Sequence, residues 1–123
     1  MASATRISLA EKLARFSERW SPKLVETVDD YEVKVVKLEG DFVWHKHEGA
    51  DELFLVLKGS LRMDFRDRQV AVGAGEIIVV PKGVEHKPFA AAECEVMLLE
   101  RRGVVNTGDA GPSAYTRTEI ERI

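Results

Sequence analysis

The sequence predicts an all-β fold, a barrel or a sandwich of short strands, preceded by one N-terminal helix. Short apolar runs, several of them alternating with polar residues, follow one another from about residue 24 to residue 103. Turns that contain glycine or proline separate these runs roughly every eight to twelve residues, as at Gly73-Ala74-Gly75 and Pro81-Lys82-Gly83. This spacing is typical of barrels and sandwiches rather than of alternating helices and strands.

Length and composition limit the function classes. A chain of 123 residues forms one domain that can bury a core without disulfides. The net charge of −3 comes from well-mixed residues without a basic patch, which argues against nucleic-acid binding. No apolar run is long enough to span a membrane, and the N-terminus lacks a secretory core. The single cysteine, Cys94, excludes an internal disulfide, so we expect a cytoplasmic protein.

The helix is predicted at about residues 8–20. Ser8 and Glu11 form a capping box, and the apolar residues Leu9, Leu13, Phe16 and Trp20 follow at helical spacing. Pro22 ends the pattern. We expect this stripe to pack on the domain's own sheet or across a dimer; the alternative is a lid or a partner-binding helix.

The metal-binding barrel is predicted at about residues 24–103, with a polar tail at 104–123. Strands are expected at 31–38, 53–57, 61–65, 69–72, 76–80, 84–89 and 93–100. The tail contains turn signals at 106–109 and 111–112. The turn at 106–109 is either a plain turn or part of the border of the site described next.

The only three histidines of the chain can share one metal site. His45 and His47 lie on one face of an extended segment, Glu52 follows after a short polar connection, and His86 lies on a later strand. Imidazoles with one carboxylate suit Mn, Fe, Ni or Zn better than Ca or Mg, so we expect one divalent transition metal per chain. Four protein ligands leave open positions on a six-coordinate ion.

Two motifs around these residues resemble those of the cupin family. The pattern G-x5-H-x-H-x3,4-E-x6-G appears as Gly40, His45, His47, Glu52 and Gly59, with four residues instead of five before the first histidine. The pattern G-x5-P-x-G-x2-H-x3-N appears as Gly75, Pro81, Gly83 and His86, with Ala90 where the family often has asparagine. The resemblance implies a jelly-roll-like barrel, a double-stranded β-helix, with a metal inside and often a homodimer. The family includes dioxygenases, sugar isomerases, lyases and binding proteins.

Strand alternation predicts an apolar pocket around the metal. The residues expected to line it are Val43, Phe54, Val56, Met63 and Phe65, while Arg62 and Asp64 are expected to face water. Glu48 and Asp51 could act at the rim of the site, but we expect them to be solvated acids of a polar turn. We expect Cys94 to be a core residue rather than a nucleophile. Outward-facing leucines at 53, 55 and 57, with Ile78 and Val80 or Ile77 and Val79, suggest a homodimer.

The sequence therefore favours a metal-dependent protein that binds a small, partly apolar molecule. If it is an enzyme, oxygenase-type chemistry is the expectation. The alternatives are a non-catalytic binding or sensing protein, a sugar-isomerase-like member, and a metal that serves only as a structural staple.

Overall fold

The fold is organised around one long strand that pairs with three others. A computed structural model of the protein describes residues 4–123. Its elements are α1 (Leu9–Leu13), β1 (Lys23–Val28), β2 (Tyr31–Asp41), β3 (Glu52–Lys58), β4 (Ser60–Phe65), β5 (Gln69–Gly73), β6 (Ile77–Val80) and β7 (His86–Arg101). Strand β7 pairs antiparallel with β2, β3 and β4. The result is the predicted all-β barrel with one short helix.

The strand order is β1-β2-β7-β3-β6, and β4 joins β5 to the first part of β7. The connection between β3 and β4 turns at Gly59, whose φ is +89°. A Cβ atom there would lie 3.0 Å from the carbonyl oxygen of Glu93, so glycine satisfies both the turn and the close approach. The register of β3 and β7 places the start of β3 beside the end of β7, with Glu52 opposite Glu100.

Strand β7 corrects one expectation. The sequence predicts two strands, 84–89 and 93–100, but the structure has one continuous strand of 16 residues. A bulge in β7 interrupts the pairing with β2 between Leu38, which pairs with Cys94, and Gly40, which pairs with Ala90. Three residues of β7 there lie opposite one residue of β2, so β7 bends instead of ending.

The N-terminal helix is also shorter than predicted, because it ends at Leu13 rather than near residue 20. The side chain of Leu13 packs with Val25 and Val35 in a small second core, as expected for a stripe on the domain's own sheet. Trp20 lies outside the helix with a φ of +59°, and its backbone N–H donates to the carbonyl of Lys37. The last helical turns that the sequence predicts do not form, and the Trp20 indole is instead buried against the sheet. No helix within residues 4–123 is long and apolar enough to cross a membrane.

Strand β4 departs from simple alternation. Leu61, Met63 and Phe65 are buried as predicted, but Asp64, which was expected to face water, is only 4% exposed. Arg62 donates two hydrogen bonds to its carboxylate, at 2.6 and 2.9 Å, and Lys87 approaches to 3.3 Å. These cations cover Asp64, and the Arg62 guanidinium holds the pKa of its carboxyl group below the ordinary value.

Candidate metal centre

The structure brings the four predicted ligands together in the barrel interior. His45 follows β2 and forms two backbone hydrogen bonds with His86, the first residue of β7. Glu52 is the first residue of β3, and His47 lies in the connection before it. All four side chains are buried, and one ligand atom from each lies within 4.8 Å of the others. The cluster could therefore hold one metal ion.

Backbone carbonyls orient two of the imidazole rings. The Nδ1 atom of His45 lies 2.9 Å from the carbonyl oxygen of Val43, and Nδ1 of His86 lies 2.9 Å from that of Val84. A carbonyl can only accept, so Nδ1 carries the proton in both rings. The Nε2 lone pairs then point into the cluster, which is the arrangement that metal-ligating histidines need.

The unpaired atoms of the cluster fit a cation. His47 Nε2, Glu52 Oε1 and His86 Nε2 are buried without a hydrogen-bond partner among the described residues. Glu52 Oε1 lies 3.4 Å from His47 Nε2 and 3.5 Å from His86 Nε2. Ligand atoms about 2.1 Å from one ion stand about 3 Å apart when cis and about 4.2 Å apart when trans. The two measured separations fall within that range.

The electrostatics of the cluster also favour a cation. Burial, together with the neighbouring His86, lowers the pKa of His45 to about 4, so its imidazole is neutral near pH 7. Burial raises the pKa of Glu52, but the adjacent imidazoles of His47 and His86 outweigh this effect and hold the pKa below its ordinary value. His45 thus offers a neutral nitrogen and Glu52 a carboxylate, the protonation states that metal ligands require.

A loop of the C-terminal tail covers two of the histidines from behind. Asp109 Oδ1 accepts a hydrogen bond of 2.8 Å from the backbone N–H of Lys46, and the N–H of Asp109 donates to the Lys46 carbonyl. Gly108, with a φ of +54°, packs so closely that a Cβ atom would clash with that carbonyl oxygen. The same Cβ would lie 3.1 Å from the rings of both His45 and His47. Of the two readings of the 106–109 turn, this contact favours the site border.

A small cavity of about 40 Å³ adjoins His45 and Glu52. Most of its wall is apolar and comes from Trp20, Val36, Leu38, Phe42, Phe54 and Leu98. Its remaining polar group, Asn106, is already satisfied. Its Nδ2 donates to the Tyr115 carbonyl at 2.7 Å, and its Oδ1 accepts from Arg117 N–H at 2.8 Å.

Of the five residues predicted to line the pocket, Phe54 lies on the cavity wall. Val56 and Met63 are fully buried in the main core, as is most of Phe65, and Val43 packs against that core from its edge. The prediction that these four line the pocket is therefore wrong, because they pack against one another's neighbours in the core instead of facing the cavity. Glu48 pairs with Lys46, and Asp51 accepts from the Lys82 N–H, so both acids hold surface loops. Cys94 is fully buried, and burial raises its pKa to about 11, which confirms a core role.

Three residues near the site were not predicted from the sequence to lie there. Trp20 was assigned to the helix, although its ring stacks on Phe42 with centroids 4.6 Å apart. The other two are Lys34 and Glu100, a buried charged pair in strands that otherwise read as apolar. The sequence does carry a signal for this pair, because each charged residue stands at a strand position that alternation directs inward.

Comparison with known proteins agrees with the geometry. The family described as "Cupin domain" matches residues 31–100. The "Uncharacterized protein YdbB" of Bacillus subtilis (strain 168) is 38% identical over 78 residues, which are 63% of this chain and 63% of that protein. The chain thus spans less than two thirds of this curated relative.

Among solved structures, a cupin-2 domain containing protein from Shewanella frigidimarina NCIMB 400 is 47% identical. The match has a TM-score of 0.77 and covers 78% of this chain and 94% of that one. A hydroquinone 1,2-dioxygenase, solved with Cd²⁺ and 4-hydroxybenzonitrile, shares the fold at 16% identity and a TM-score of 0.63. That match covers 75% of this chain and 70% of the dioxygenase chain. The two sequence motifs, the antiparallel barrel and the family match converge, and this chain belongs to the cupin family.

Proposed function

We propose that this cupin holds one divalent transition metal through His45, His47, Glu52 and His86 and binds a small organic molecule at it. The observation that carries the proposal is the convergence of three buried, unpaired ligand atoms, His47 Nε2, Glu52 Oε1 and His86 Nε2. An unpaired polar atom in a protein interior is costly unless something binds it. A metal ion satisfies all three at once.

Manganese, iron, nickel and zinc all suit three imidazoles and one carboxylate. Iron or manganese, when bound, would supply the redox and Lewis-acid chemistry of an oxygenase, with two coordination positions left for substrate and O₂. The protein's own contribution is orientation and exclusion of water. Glu52 and the histidines fix the ion, and the rings of Trp20 and Phe42 close the cavity beside it.

The cavity restricts the ligand to few atoms and an apolar body. Its volume of about 40 Å³ is well below the roughly 150 Å³ that admits benzene in a protein interior. Apart from the ligands His45 and Glu52, no titratable side chain of the described residues lines its wall. The polar end of the molecule therefore belongs at the metal, as in a small enediol or 1,3-dicarbonyl. A phenol would require Trp20 to move, and a sugar would leave most of its hydroxyls unpaired.

The same wall favours a second candidate, a binding or sensing protein without catalysis. Acid–base chemistry needs a titratable group within hydrogen-bonding reach of the substrate, and the wall offers only metal ligands. An enzyme built on this site would therefore depend on the metal alone. The hydroquinone dioxygenase supports only the capacity of the fold for oxygenase chemistry, because its identity is low.

Elemental analysis of untagged protein tests the metal site. We expect about one transition metal per chain, either as purified or after reconstitution with Mn, Fe, Ni or Zn. Protein that remains metal-free after all four reconstitutions would refute the proposal.

Oxygen uptake and calorimetry separate the two candidates. For an oxygenase, the Fe or Mn form consumes O₂ with an enediol, a 1,3-dicarbonyl or a phenol, and the Zn form does not. Tight binding of these compounds without O₂ uptake in any metal form supports the binding protein instead.

We also propose that the protein is a cytoplasmic homodimer. The outer face of β3, β6 and β7 presents adjacent apolar side chains, in register at Leu53, Leu55, Ile77, Val79, Met97 and Leu99. Ile77 and Val79 are 58% and 48% exposed, so they are the outward pair of β6. Light scattering should report a dimer at micromolar concentration, and Val79→Lys should convert it to a monomer. The matched control Val28→Lys, at a valine of β1 that is 56% exposed, should remain dimeric.

A further inference from the structure

The C-terminal tail contains a loop that its own side chains close. Asn106 Oδ1 accepts a hydrogen bond of 2.8 Å from the backbone N–H of Arg117, and the hydroxyl oxygens of Thr107 and Thr116 are 2.9 Å apart. These contacts join the two ends of the segment 106–117, as in the compact surface loops called Ω-loops. We call this segment the tail loop. Because the hydrogen bonds at its neck are internal, the tail loop can move as one body.

The tail loop forms one side of the enclosure around the cavity. Asn106 lies on the cavity wall. The centroid of the Tyr115 ring lies 5.5 Å from that of Phe42 and 6.0 Å from that of Trp20, and both of these residues also line the wall. Displacement of the tail loop would therefore remove part of the wall and the aromatic packing behind it.

The tail loop is fastened to the barrel at its surface. Asp109 Oδ1 accepts a hydrogen bond of 2.8 Å from the N–H of Lys46, and the N–H of Asp109 donates to the Lys46 carbonyl at 3.2 Å. Asp109 is exposed, so water can replace these hydrogen bonds when the tail loop moves away. Separation at this point is therefore inexpensive.

Both flanks of the tail loop are anchored by backbone hydrogen bonds. Before it, the N–H of Arg102 donates to the Asp30 carbonyl at 2.8 Å. After it, the N–H of Leu24 donates to the Glu121 carbonyl at 2.9 Å, and the N–H of Ile123 donates to the Leu24 carbonyl at 3.0 Å. A motion between these anchors is a swing of the tail loop and not a release of the whole tail.

The proposed metal site needs such a motion. Its four ligands are buried, and the cavity beside them has a volume of only about 40 Å³. An ion or a small molecule can reach or leave the ligands only if the wall moves. Opening the strands would break ladders, since β7 alone pairs with β2, β3 and β4. Irregular surface segments open at a lower free energy than core strands, which favours the tail loop as the part that moves.

We infer that the tail loop is a lid, closed in this structure, that swings away from Lys46 to admit and release the metal ion and its small ligand. The inference rests on the proposed metal site. Opening breaks the hydrogen bonds between Asp109 and Lys46 and withdraws Tyr115 from Phe42 and Trp20, while the strand ladders stay intact. Because one opening serves both directions, the lid sets the rates of entry and release and leaves the affinity unchanged.

Stopped-flow kinetics of Asp109→Ala test the lid, with Co²⁺ alone as the probe. Association of Co²⁺ and its release into an excess of chelator are measured separately. Both rates should rise about tenfold, since loss of a hydrogen bond to a charged group shifts an opening equilibrium by about that factor. The dissociation constant should stay within about twofold. A merely structural role would instead raise the release rate alone and weaken the affinity.

Glu76→Ala provides the matched control. Glu76 Oε1 also accepts a hydrogen bond from a backbone N–H at the surface, that of Gly73 at 2.7 Å. It lies in the turn before β6, at the end of that strand away from Glu52. Both Co²⁺ rates of this variant should equal those of the natural protein.

Hydrogen exchange of the metal-free natural protein tests the motion without any substitution. The amides of Lys46 and Asp109, which join the tail loop to the barrel, should exchange at least about tenfold faster than the Arg117 amide at its neck. They should also exchange faster than the amides in the middle of β7. Exchange of Arg117 as fast as that of Lys46 would mean that the loop unravels, and exchange of Lys46 as slow as that of β7 would mean that it stays shut. Either result overturns the lid.

The outcomes are distinct. If the natural protein binds no metal, the proposed function fails and takes this inference with it. If it binds metal and Asp109→Ala leaves both rates unchanged, or raises the release rate alone, the lid is overturned and the metal site stands. If Asp109→Ala does not fold, the exchange rates of the natural protein decide.

Discussion

Two halves of the site around the cavity are held in different ways. The ligand half consists of the proposed ligands His45, His47, Glu52 and His86, and the aromatic half consists of Trp20 and Phe42 with Tyr115 packed against them. In the ligand half, two rings are fixed by the carbonyl two residues earlier in the chain. In the aromatic half, the Phe42 ring lies 4.6 Å from Trp20 and 5.5 Å from Tyr115, which come from opposite ends of the chain.

This difference separates two properties of the site. Local backbone contacts and the barrel strands hold the ligand half, so changes there should act on the metal. The aromatic half depends on contacts between the chain ends, so changes there should act on access and ligand size. Variants that alter one property and not the other test this division.

The largest effect is expected from His86→Ala. The variant removes a fully buried proposed ligand and should weaken metal binding more than about 100-fold, because loss of an outer partner alone costs about 10- to 100-fold. The barrel should remain folded, since only one side chain at its centre is truncated. Metal content by elemental analysis is the measurement.

The control is Glu85→Gln, one residue away, whose exposed side chain pairs with Arg66 on the surface. It should retain about one metal per chain. Equal metal content in both variants would mean that His86 is not a ligand, and it would contradict the division of the site into a ligand half and an aromatic half.

The ligand half could be predicted because its information is local. The spacing of His45 and His47 puts both on one strand face, and turn residues fix where Glu52 and His86 enter the barrel. Most strands were predictable for the same reason, since alternation and glycine turns occur within a few residues of one another. Strand β7 was divided in the prediction because the residues between its two apolar runs break the pattern, whereas in the structure they form a bulge within one continuous strand.

The aromatic half could not be predicted, because its contacts span the chain. Trp20 lies four residues after Phe16 and fits the helical pattern, but the helix ends at Leu13 and the indole packs on Phe42. The sequence left open whether the turn that contains Gly108 borders the site, because its contact with Lys46 joins distant parts of the chain. Asp64 was placed in water by alternation, whereas Arg62 and Lys87 cover it. Tertiary contacts override local pattern at each of these positions.

Gly108→Ala should have the next largest effect. Gly108 lies in the same C-terminal tail as Tyr115 of the aromatic half, yet it contacts the ligand half. Its Cβ would collide with the Lys46 carbonyl and crowd His45 and His47, so the loop must move. We expect a loss of about 2–3 kcal/mol in the free energy of unfolding and weaker metal binding. Denaturant unfolding and chelator competition measure these two quantities.

Gly111→Ala is the matched control, because Gly111 also has a left-handed φ, +82°, but its Cβ would meet nothing within 4 Å. That variant should lose only the backbone cost of about 1–2 kcal/mol and keep its metal affinity. Identical behaviour of the two alanine variants would show that the loop does not support the histidines.

The pH dependence of the metal-free protein tests the ligand half without its ion. His45 has a folded pKa of about 4, below the unfolded value of about 6.5, so the unfolded state binds the additional proton first. The stability that this group contributes is complete above pH 6.5 and is lost as the pH falls toward 4. Between pH 6.5 and 5 the free energy of unfolding should fall by about 2 kcal/mol.

Denaturant unfolding of the metal-free protein, compared with metal-free His45→Asn, isolates this contribution, because the carboxylates titrate in both proteins. The difference between their free energies of unfolding should change with pH by the amount given above. A constant difference across the range would contradict a depressed pKa for His45.

The smallest effect is expected from Trp20→Phe, which probes the aromatic half alone. Trp20 Nε1 donates a hydrogen bond of 3.0 Å to the carbonyl of Glu39, and phenylalanine removes this donor while it keeps a ring to stack on Phe42. The free energy of unfolding should fall by about 1 kcal/mol. Metal affinity should stay within about twofold, since no atom of Trp20 fixes a ligand. The smaller ring enlarges the cavity, so phenols should bind more tightly than they do to the natural protein.

The control is Leu13→Val, in the second core. It should lower the free energy of unfolding by a similar amount through one lost methylene, without any change in ligand preference. Calorimetric titration of the Zn form with a phenol and with a small enediol compares the variants. If Trp20→Phe lowered the metal affinity and left the ligand preference unchanged, the two halves of the site would act as one unit.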